Sequence, residues 1–356
     1  TPDPAFAKKV AYFSSPVLHP ESFDKEGNIQ RLVATGPYQI QGITPGNRLS
    51  LKKFKNYWGK NPLFDNLDFK TITDAETRVM ALISGEVDVI ADIGALFPEQ
   101  AKRLESHSDI AVEKVNTATT HIVVFNCEKK PFATSEHRHW LGGIIDIRQL
   151  LGQVVQGAGR RAKDPYTDLS KDYAFKCIEQ KTIDMPAKLE KFNQNIVLLL
   201  LSGTLQRWPY MEIAQTIAAK LNKKGLNTKI RIQEPSKYHS SVKKGQFNLL
   251  LQPYTLLTGD PDFFYSYWID SQSPWNCGWG NSRADFLIKE ARKEINKKRR
   301  RVMEYTWSER KEKIKMDLIW ALRFCGTPIS YVPPSREKLR TRSRAIGKRL
   351  RYKFNN

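Results

Sequence analysis

Alternating apolar and polar residues predict a β-hairpin in the first part of the chain. Tyr38 and Ile40 alternate with polar neighbours, and the same period of two recurs at Leu49 and Leu51. The segment between them contains Pro-Gly-Asn, which is typical of a turn because glycine enters the left-handed backbone conformation without steric cost. We therefore expect two antiparallel strands over residues 36–54.

The residues that follow predict a strand, a helix and a second strand. Residues 67–72 have the pattern of a strand, and Asp74 is placed to cap the N-terminus of a helix over 75–83. Gly85 is expected to end this helix, and the apolar run 87–90 is then expected to form a short buried strand. The whole stretch is interpreted as a βαβ-like element.

Farther along the chain, apolar runs alternate with helical segments. The predicted strands cover 196–201, 228–232 and 247–251, and the predicted helices cover 208–223, 238–244 and 282–323. The regular β-α-β-α-β order between the first and last of these strands favours a largely parallel sheet.

A largely parallel sheet suggests where a ligand would bind. Ligands usually lie beyond the carboxyl ends of parallel strands. The segment 252–261 follows the last predicted strand and is expected to be such a loop, and an arginine after the first strand could pair with a ligand carboxylate. The candidate ligand-binding residues are Gln252, Tyr254, Thr255, Leu257, Arg207 and Trp208.

The charge of the chain leaves a second interpretation open. The formal net charge is +21, with basic clusters at 297–301 and 336–353. Such a balance is found in proteins that bind nucleic acids or anionic membranes, so a basic polyanion-binding protein is the alternative. A solvated basic face is the simpler explanation, because neither a zinc finger nor an aromatic RNA-binding motif accompanies the clusters. No apolar run is long enough to cross a membrane, and no leader is recognised at the first residues.

Motifs of enzyme chemistry are missing from the sequence. There is no phosphate-binding glycine loop, no HExxH and no nucleophile elbow, so we expect neither an enzyme nor a resident cofactor or metal. The four cysteines lie far apart without a CxxC spacing, which argues against a zinc ribbon and leaves disulfides possible but not implied. They are Cys127, Cys177, Cys277 and Cys325.

Several short segments occur in an order similar to that of the motifs in one known family. The segments are 36–38, 56–59, 73–78, 84–88, 125–126, 130–132, 144–146 with Arg138 before them, 214–225, 245–248, 259–261 and 281–292. In order and spacing they resemble the peptide/nickel class of bacterial extracytoplasmic solute-binding proteins, family 5, which are the receptors of ABC importers.

The resemblance implies a fold and a function. The fold would be α/β, a type II periplasmic-binding-protein-like pair of lobes with mixed and parallel sheets. Lobe one would comprise 1–124 with a return segment 326–356, and lobe two would comprise 125–325. The ligand would be a small peptide or a nickel chelate, held as cargo rather than as a cofactor in a cleft between the lobes. The partner would be an inner-membrane permease.

The resemblance also implies a cellular location, although this chain differs from the family pattern at several positions. The protein would be a monomer in the periplasm or at the outer face of the cytoplasmic membrane, and it would not bind nucleic acid. Family members are typically longer before the hairpin. Peptide receptors carry an aspartate four residues before the proline that matches Pro261, where this chain has Leu257. Nickel receptors lack that aspartate but tend to carry a tryptophan where Thr255 stands, so the choice between the two ligands stays open.

Overall fold

The computed structural model divides the chain into two compact units. The residues that it describes are 6–10, 16–92, 94–114, 119–161, 184–190, 192–255, 260, 262–296, 299, 319–320, 324–326 and 329–331. Unit one takes its described residues from Thr1–Tyr12, Asp92–Ala101 and Lys114–Ser330, and unit two from Phe13–Ala91, Lys102–Glu113 and Tyr331–Asn356. The predicted lobe boundaries after 124 and 325 stay a prediction.

The described residues form helices of 3 to 14 residues and strands of 2 to 7 residues. The helices are α1 (Phe6–Val10), α2 (Ala75–Ile83), α3 (Pro98–Glu105), α4 (Ser135–Ile144), α5 (Ile147–Gln149), α6 (Ala187–Glu190), α7 (Tyr210–Lys223), α8 (Pro235–Lys243), α9 (Asp262–Phe264) and α10 (Ser282–Ala291). The strands are β1 (Tyr38–Thr44), β2 (Arg48–Lys53), β3 (Asn66–Lys70), β4 (Val112–Lys114), β5 (Thr119–Phe125), β6 (Gly159–Arg161), β7 (Ile196–Leu201), β8 (Thr228–Gln233), β9 (Leu249–Thr255), β10 (Ile319–Trp320), β11 (Phe324–Gly326) and β12 (Ile329–Tyr331). No helix in the described part of the chain is long and apolar enough to cross a membrane.

Unit two contains a three-stranded antiparallel sheet, and the predicted hairpin is confirmed within it. Strands β1 and β2 pair from Tyr38 opposite Lys53 to Thr44 opposite Arg48, and β3 pairs with the other edge of β2. Gly46 has a φ of 70°, the left-handed conformation that this turn requires.

The predicted helix after this sheet is also confirmed. The side chain of Asp74 accepts a hydrogen bond of 2.8 Å from the amide of Thr77 and so caps α2. Gly85 follows the helix with a φ of 75°. Both termini of the helix are therefore fixed by local interactions that the sequence displays.

The strand predicted over 87–90 is wrong, and with it the βαβ-like element. The amide of Val87 donates to the carbonyl oxygen of Ala81 at 3.1 Å, so the chain turns back onto the end of α2 instead of extending along a sheet. The strand before the helix, β3, pairs antiparallel with β2. A short apolar run does not by itself distinguish a buried strand from a buried loop.

Unit one is built on a mixed sheet in the order β6-β11-β5-β9-β7-β8, with β10 also beside β5. The parallel pairing predicted for the second half is confirmed for β8, β7 and β9. The expectation of a largely parallel sheet is wrong for the rest, because β5 pairs antiparallel with β9 over seven residues. Strand β5 comes from far upstream in the sequence, so the local β-α-β pattern does not show that it inserts here.

Helix α7 covers one face of this sheet with an apolar stripe. Ile213, Ile217 and Leu221 are fully buried and recur at intervals of four residues, which places them on one side of the helix. They pack into the same cluster as Leu198 of β7. Burying each such side chain stabilises the fold by roughly 1.5–3 kcal/mol. Gly225, with a φ of 82°, follows the end of the helix as expected.

Two further predictions on element length need correction. The segment 252–255 is not a loop but the end of β9, because it pairs residue by residue with β5 from Ile122 back to Thr119. Of the helix predicted over 282–323, the structure shows α10, which begins at Ser282 and ends at Ala291. Residues 319–320 form a strand beside β5, so the helix does not continue that far.

Candidate functional site

The carboxyl edge of the three parallel strands in unit one is the candidate site. Leu201 and Gln233 are register partners at the ends of β7 and β8. Strand β9 continues beyond that level to Thr255, because its Leu250 already lies opposite Leu199 of β7. The antiparallel β5 begins at the same edge, with Thr119 opposite Thr255. Segments from several parts of the chain therefore meet at this edge.

Two threonines mark the end of the β5–β9 ladder. The hydroxyl oxygens of Thr119 and Thr255 lie 2.9 Å apart in a cross-strand hydrogen bond. Thr119 is buried and Thr255 is half-buried. Thr255 was predicted as a site residue, and the structure adds Thr119 as its partner. A hydroxyl pair of this kind offers both a donor and an acceptor to a polar ligand.

Tyr254 lies on the other face of the same ladder, opposite Thr120. Its ring is 5.1 Å from that of Phe264 in an edge-to-face arrangement and 6.1 Å from that of Phe263. The side chain is buried, and burial raises the pKa of Tyr254 well above its ordinary value, so the phenol stays neutral. Its buried hydroxyl has no hydrogen-bond partner among the described residues. Tyr254 thus belongs to an aromatic cluster that supports the edge.

Gln252 is engaged with a neighbouring helix. Its side-chain oxygen accepts a hydrogen bond of 3.1 Å from the hydroxyl of Tyr238 on α8. Burial raises the pKa of Tyr238, so this hydroxyl remains a donor. Gln252 is half-buried. The structure therefore gives this predicted site residue a role in joining α8 to β9. Leu257, another predicted site residue, lies outside the described residues.

Arg207 follows β7 at the carboxyl edge and forms an ion pair with Asp92. Both side chains are about half exposed, at 49% for Arg207 and 62% for Asp92. The prediction for Arg207 was a pairing with a ligand carboxylate. The structure places a carboxylate of the protein itself on this guanidinium, and pairing with a ligand carboxylate stays a prediction. An exposed pair of this kind adds little to stability.

Trp208 is buried against a histidine that lies on β5. Its ring lies 4.5 Å from that of His121 at an interplanar angle of 71°. The Nδ1 atom of His121 is 2.7 Å from the hydroxyl of Tyr210. Burial lowers the pKa of His121 to about 3, so the imidazole is neutral at physiological pH. His121, Trp208 and Tyr210 together form an aromatic triad.

A glycine allows the backbone to approach this triad. Gly94 has a φ of 71°, and a Cβ atom there would lie 2.7 Å from the carbonyl oxygen of Arg207 and 2.9 Å from the ring of Trp208. Asp92 and Gly94 thus hold the segment that carries Arg207 and Trp208. His121, Tyr210, Asp92 and Gly94 are not among the site residues predicted from the sequence. A histidine in an otherwise apolar strand was the one signal that could have pointed to His121.

Two buried aspartates after β9 form ion pairs. Asp262 pairs with Arg292 at 2.9 Å and with Lys9 at 3.7 Å, and Asp260 pairs with Lys8 at 3.5 Å. The amide of Asp262 also donates to the carboxylate of Asp260 at 3.1 Å. These acids are therefore neutralised within unit one. No group of three His, Cys, Asp or Glu side chains that could hold a metal ion occurs in the described ranges.

Comparison with known proteins assigns the chain to a family. The model for bacterial extracellular solute-binding proteins, family 5 Middle, matches residues 1–276. The chain belongs to this family. The resemblance stated from the sequence motifs is thereby confirmed.

Curated relatives agree with the family assignment. The chain is 27% identical over 283 residues to a dipeptide-binding protein from Escherichia coli strain K12, which covers 74% of this chain and 52% of the relative. It is 22% identical over 302 residues to the nickel-binding protein NikA from Staphylococcus aureus, covering 83% of this chain and 61% of the relative. The chain thus spans about half the length of the curated relatives it matches. These relatives are named as binding proteins rather than enzymes.

Solved structures confirm the fold class. A dipeptide-binding protein from Pseudoalteromonas sp. SM9913, in complex with Met-Leu, superposes with a TM-score of 0.77 at 20% identity, covering 93% of this chain and 68% of that chain. NikA from Staphylococcus aureus, in complex with Ni(L-His)2, superposes with a TM-score of 0.75 at 21% identity, covering 94% and 71%. The predicted α/β fold of type II periplasmic binding proteins is correct.

Family membership bears on two other predictions. Solute-binding proteins of family 5 are extracytoplasmic, which agrees with the predicted location at this coarse level. The polyanion-binding alternative receives no support from the family or the relatives. The basic clusters on which it rests lie outside the described residues, except for Arg299. That the chain lacks catalytic activity and a resident cofactor stays a prediction.

Proposed function

We propose that this chain is the solute-binding receptor, or the ligand-binding part of the receptor, of an ABC importer. It captures a small peptide or a nickel chelate outside the cytoplasm and delivers it to an inner-membrane permease. The observation that carries the proposal is the family match over residues 1–276. The names of the relatives support the two ligand classes, since they include dipeptide-binding and nickel-binding proteins.

The carboxyl edge of unit one supplies groups suited to such ligands. Peptides and nickel–histidine complexes both carry carboxylates, and a guanidinium binds a carboxylate through two parallel hydrogen bonds. Arg207 is half exposed at this edge, and Asp92 already holds a carboxylate against it. We propose that a ligand carboxylate replaces Asp92 on Arg207. Thr255, Tyr254, Gln252, Trp208 and Leu257 are proposed as the remaining contacts or their supports.

Calorimetric titration of the purified protein with dipeptides and with nickel–histidine tests the proposal. We expect saturable one-to-one binding of one of the two ligand classes. Arg207→Gln should weaken that binding by roughly tenfold or more, because a charge-assisted hydrogen bond is lost. Arg31→Gln is the matched control, since Arg31 also pairs with an exposed carboxylate, that of Glu21 at 2.6 Å, but in unit two.

Two outcomes would contradict parts of the proposal. If folded protein shows no heat and no thermal shift with either ligand class, the receptor function is wrong for this chain. If binding occurs and Arg207→Gln behaves as Arg31→Gln does, the receptor function holds and the role of Arg207 is wrong.

A further inference from the structure

Two segments that are distant in the sequence run side by side in unit one. The amide of Cys127, just after β5, donates a hydrogen bond of 2.8 Å to the carbonyl oxygen of Cys277. Next to it, Gly278 has a φ of 77°, and a Cβ atom there would lie 2.1 Å from Cγ of Glu128. The two backbones are therefore in direct contact at the two cysteines, with no room for an intervening side chain.

The contact sets a spacing that suits a disulfide. Residues that face each other in a hydrogen-bonded antiparallel pair have Cα atoms about 5.5 Å apart, and the single backbone bond between the cysteines implies a similar separation. A disulfide bridges Cα atoms separated by about 4.4–6.8 Å. Both cysteines are thiols in the structure. Cys277 belongs to the apolar cluster of Phe264 and Trp268, and Cys127 packs against the same cluster, so the two side chains share one environment.

The two thiols differ in how readily an oxidant reaches them. Cys277 is buried, with 7% of its surface exposed, while Cys127 is half-buried. Burial, together with the nearby Cys127 and Glu128, raises the pKa of Cys277 to about 12. A thiol of this kind reacts slowly with reagents in solution. The first attack therefore falls to Cys127.

We propose that Cys127 and Cys277 form a disulfide under oxidising conditions. The Cys127 thiolate attacks a disulfide of the glutathione type and releases one glutathione thiolate, giving a mixed disulfide. The Cys277 thiolate then attacks the sulfur of Cys127 and releases the second glutathione thiolate. Two protein thiols are oxidised, one glutathione disulfide is reduced to two thiols, and the two protons go to the released thiolates.

The bond would link the end of β5 to the segment before α10. Its presence in the cell rests on the extracytoplasmic location in the proposed function, because oxidising compartments are where disulfides persist. Its chemistry depends only on the spacing of the two thiols. For this reason the disulfide is tested on purified protein without ligand.

The experiment uses a background in which Cys177 and Cys325 are replaced by serine. Protein is equilibrated with equimolar reduced and oxidised glutathione, quenched with acid, and alkylated in denaturant so that buried thiols also react. We expect the loss of both remaining thiols and a tryptic product joining residues 115–129 to residues 245–283. Oxidation should raise the thermal midpoint by about 5 °C, and a reductant should reverse the rise.

Cys277→Ser in the same background is the control. It should retain one alkylatable thiol or a glutathione adduct, and its thermal midpoint should not respond to the redox buffer. If both thiols of the parent remain alkylatable after equilibration, the proposal is overturned. If the linked peptide forms while no ligand binds, the disulfide is correct and the receptor function is wrong. The two proposals are therefore tested independently of each other.

Discussion

The two larger sheets in the described part of the protein bury very different fractions of their residues. In unit one, all seven residues of β5 are buried, and so are the first five of β7. In unit two, six of the seven residues of β1 are exposed. Ile43 and Phe69 in that sheet expose 58% and 57% of their surface.

This difference in burial indicates what stabilises each sheet. Strand β5 presents Val123 to one apolar cluster and Val124 to another, so both faces of the unit one sheet are covered. In unit two, Arg48 and Ser50 bind Asp68 across the strands at 2.7 Å and 2.6 Å. Exposed pairs of this kind contribute little. Burial stabilises the first sheet, whereas turn geometry and the backbone ladder hold the second.

The largest expected effect comes from removing buried side-chain volume. Leu198→Ala in unit one should lower the free energy of unfolding by about 2–5 kcal/mol, because it leaves a cavity in a fully buried site. Ile43→Ala in unit two should change it by less than about 0.5 kcal/mol. Urea unfolding followed separately in each unit by hydrogen exchange measures both values. Equal losses would show that burial does not distinguish the sheets.

Two glycines with positive φ should differ for the same reason. Gly94→Ala in unit one should cost about 3 kcal/mol, since backbone strain adds to a collision with Arg207 and Trp208. Gly46→Ala in unit two has open space around it and should cost about 1 kcal/mol of strain alone. Thermal unfolding of the two variants checks the ranking. A cost at Gly46 as large as that at Gly94 would contradict the packing around Trp208.

The buried histidine makes unit one sensitive to acid. Burial lowers the pKa of His121 from its ordinary value of 6.5 to about 3 in the folded state. Between these two values the unfolded chain binds a proton that the folded chain excludes. Stability from this group is complete above the unfolded pKa of about 6.5 and falls by up to about 1.4 kcal/mol per pH unit as the pH drops toward 3. His121→Gln should remove this component of the slope.

The exposed His107 of unit two provides the matched control. Urea unfolding of His121→Gln and His107→Gln at each pH between 6.5 and 4 separates the loss of a buried imidazole from the loss of an exposed one. If His121→Gln and His107→Gln give the same slope as the parent protein, His121 is protonated in the folded state and its burial is misjudged.

The smallest expected difference concerns helix caps, which should matter in both units. Asn281 accepts a hydrogen bond of 3.0 Å from the amide of Ala284 at the start of α10, and Asp74 does the same for α2. Asn281→Ala should cost about 1 kcal/mol, and Asp74→Ala should destabilise α2 in the same direction. Hydrogen exchange at the amides of Ala284 and Thr77 reports each loss. Protection that survives at either amide would show that the cap is not needed there.

Much of the local structure could be predicted from the sequence. The hairpin turn at Gly46, the cap at Asp74 and the helix end at Gly225 all depend on residues within a few positions of each other. Backbone preferences of this kind act in any context, which is why these predictions are confirmed. The strand predicted over 87–90 is wrong because the amide of Val87 donates to the carbonyl oxygen of Ala81, which turns the chain back onto α2.

The candidate site was only partly predictable. The rule that ligands bind beyond parallel strands led to Thr255 and Arg207, and both lie at the carboxyl edge. The same rule treated 252–255 as a loop, although this segment is paired with β5. Asp92 and His121 were missed because they reach the site from distant parts of the sequence.

The family, the fold class and the local elements could be predicted from the amino-acid sequence alone, because they depend on short motifs, periodicity and turn residues. Three features could be seen only in the tertiary structure. Strand β5 lies antiparallel beside β9, Trp208 is buried against His121, and the backbones of Cys127 and Cys277 are hydrogen-bonded. Each of these depends on which distant segments become neighbours. That choice is made by the packing of whole faces, and the free energy of such packing is not written in any one stretch of the chain.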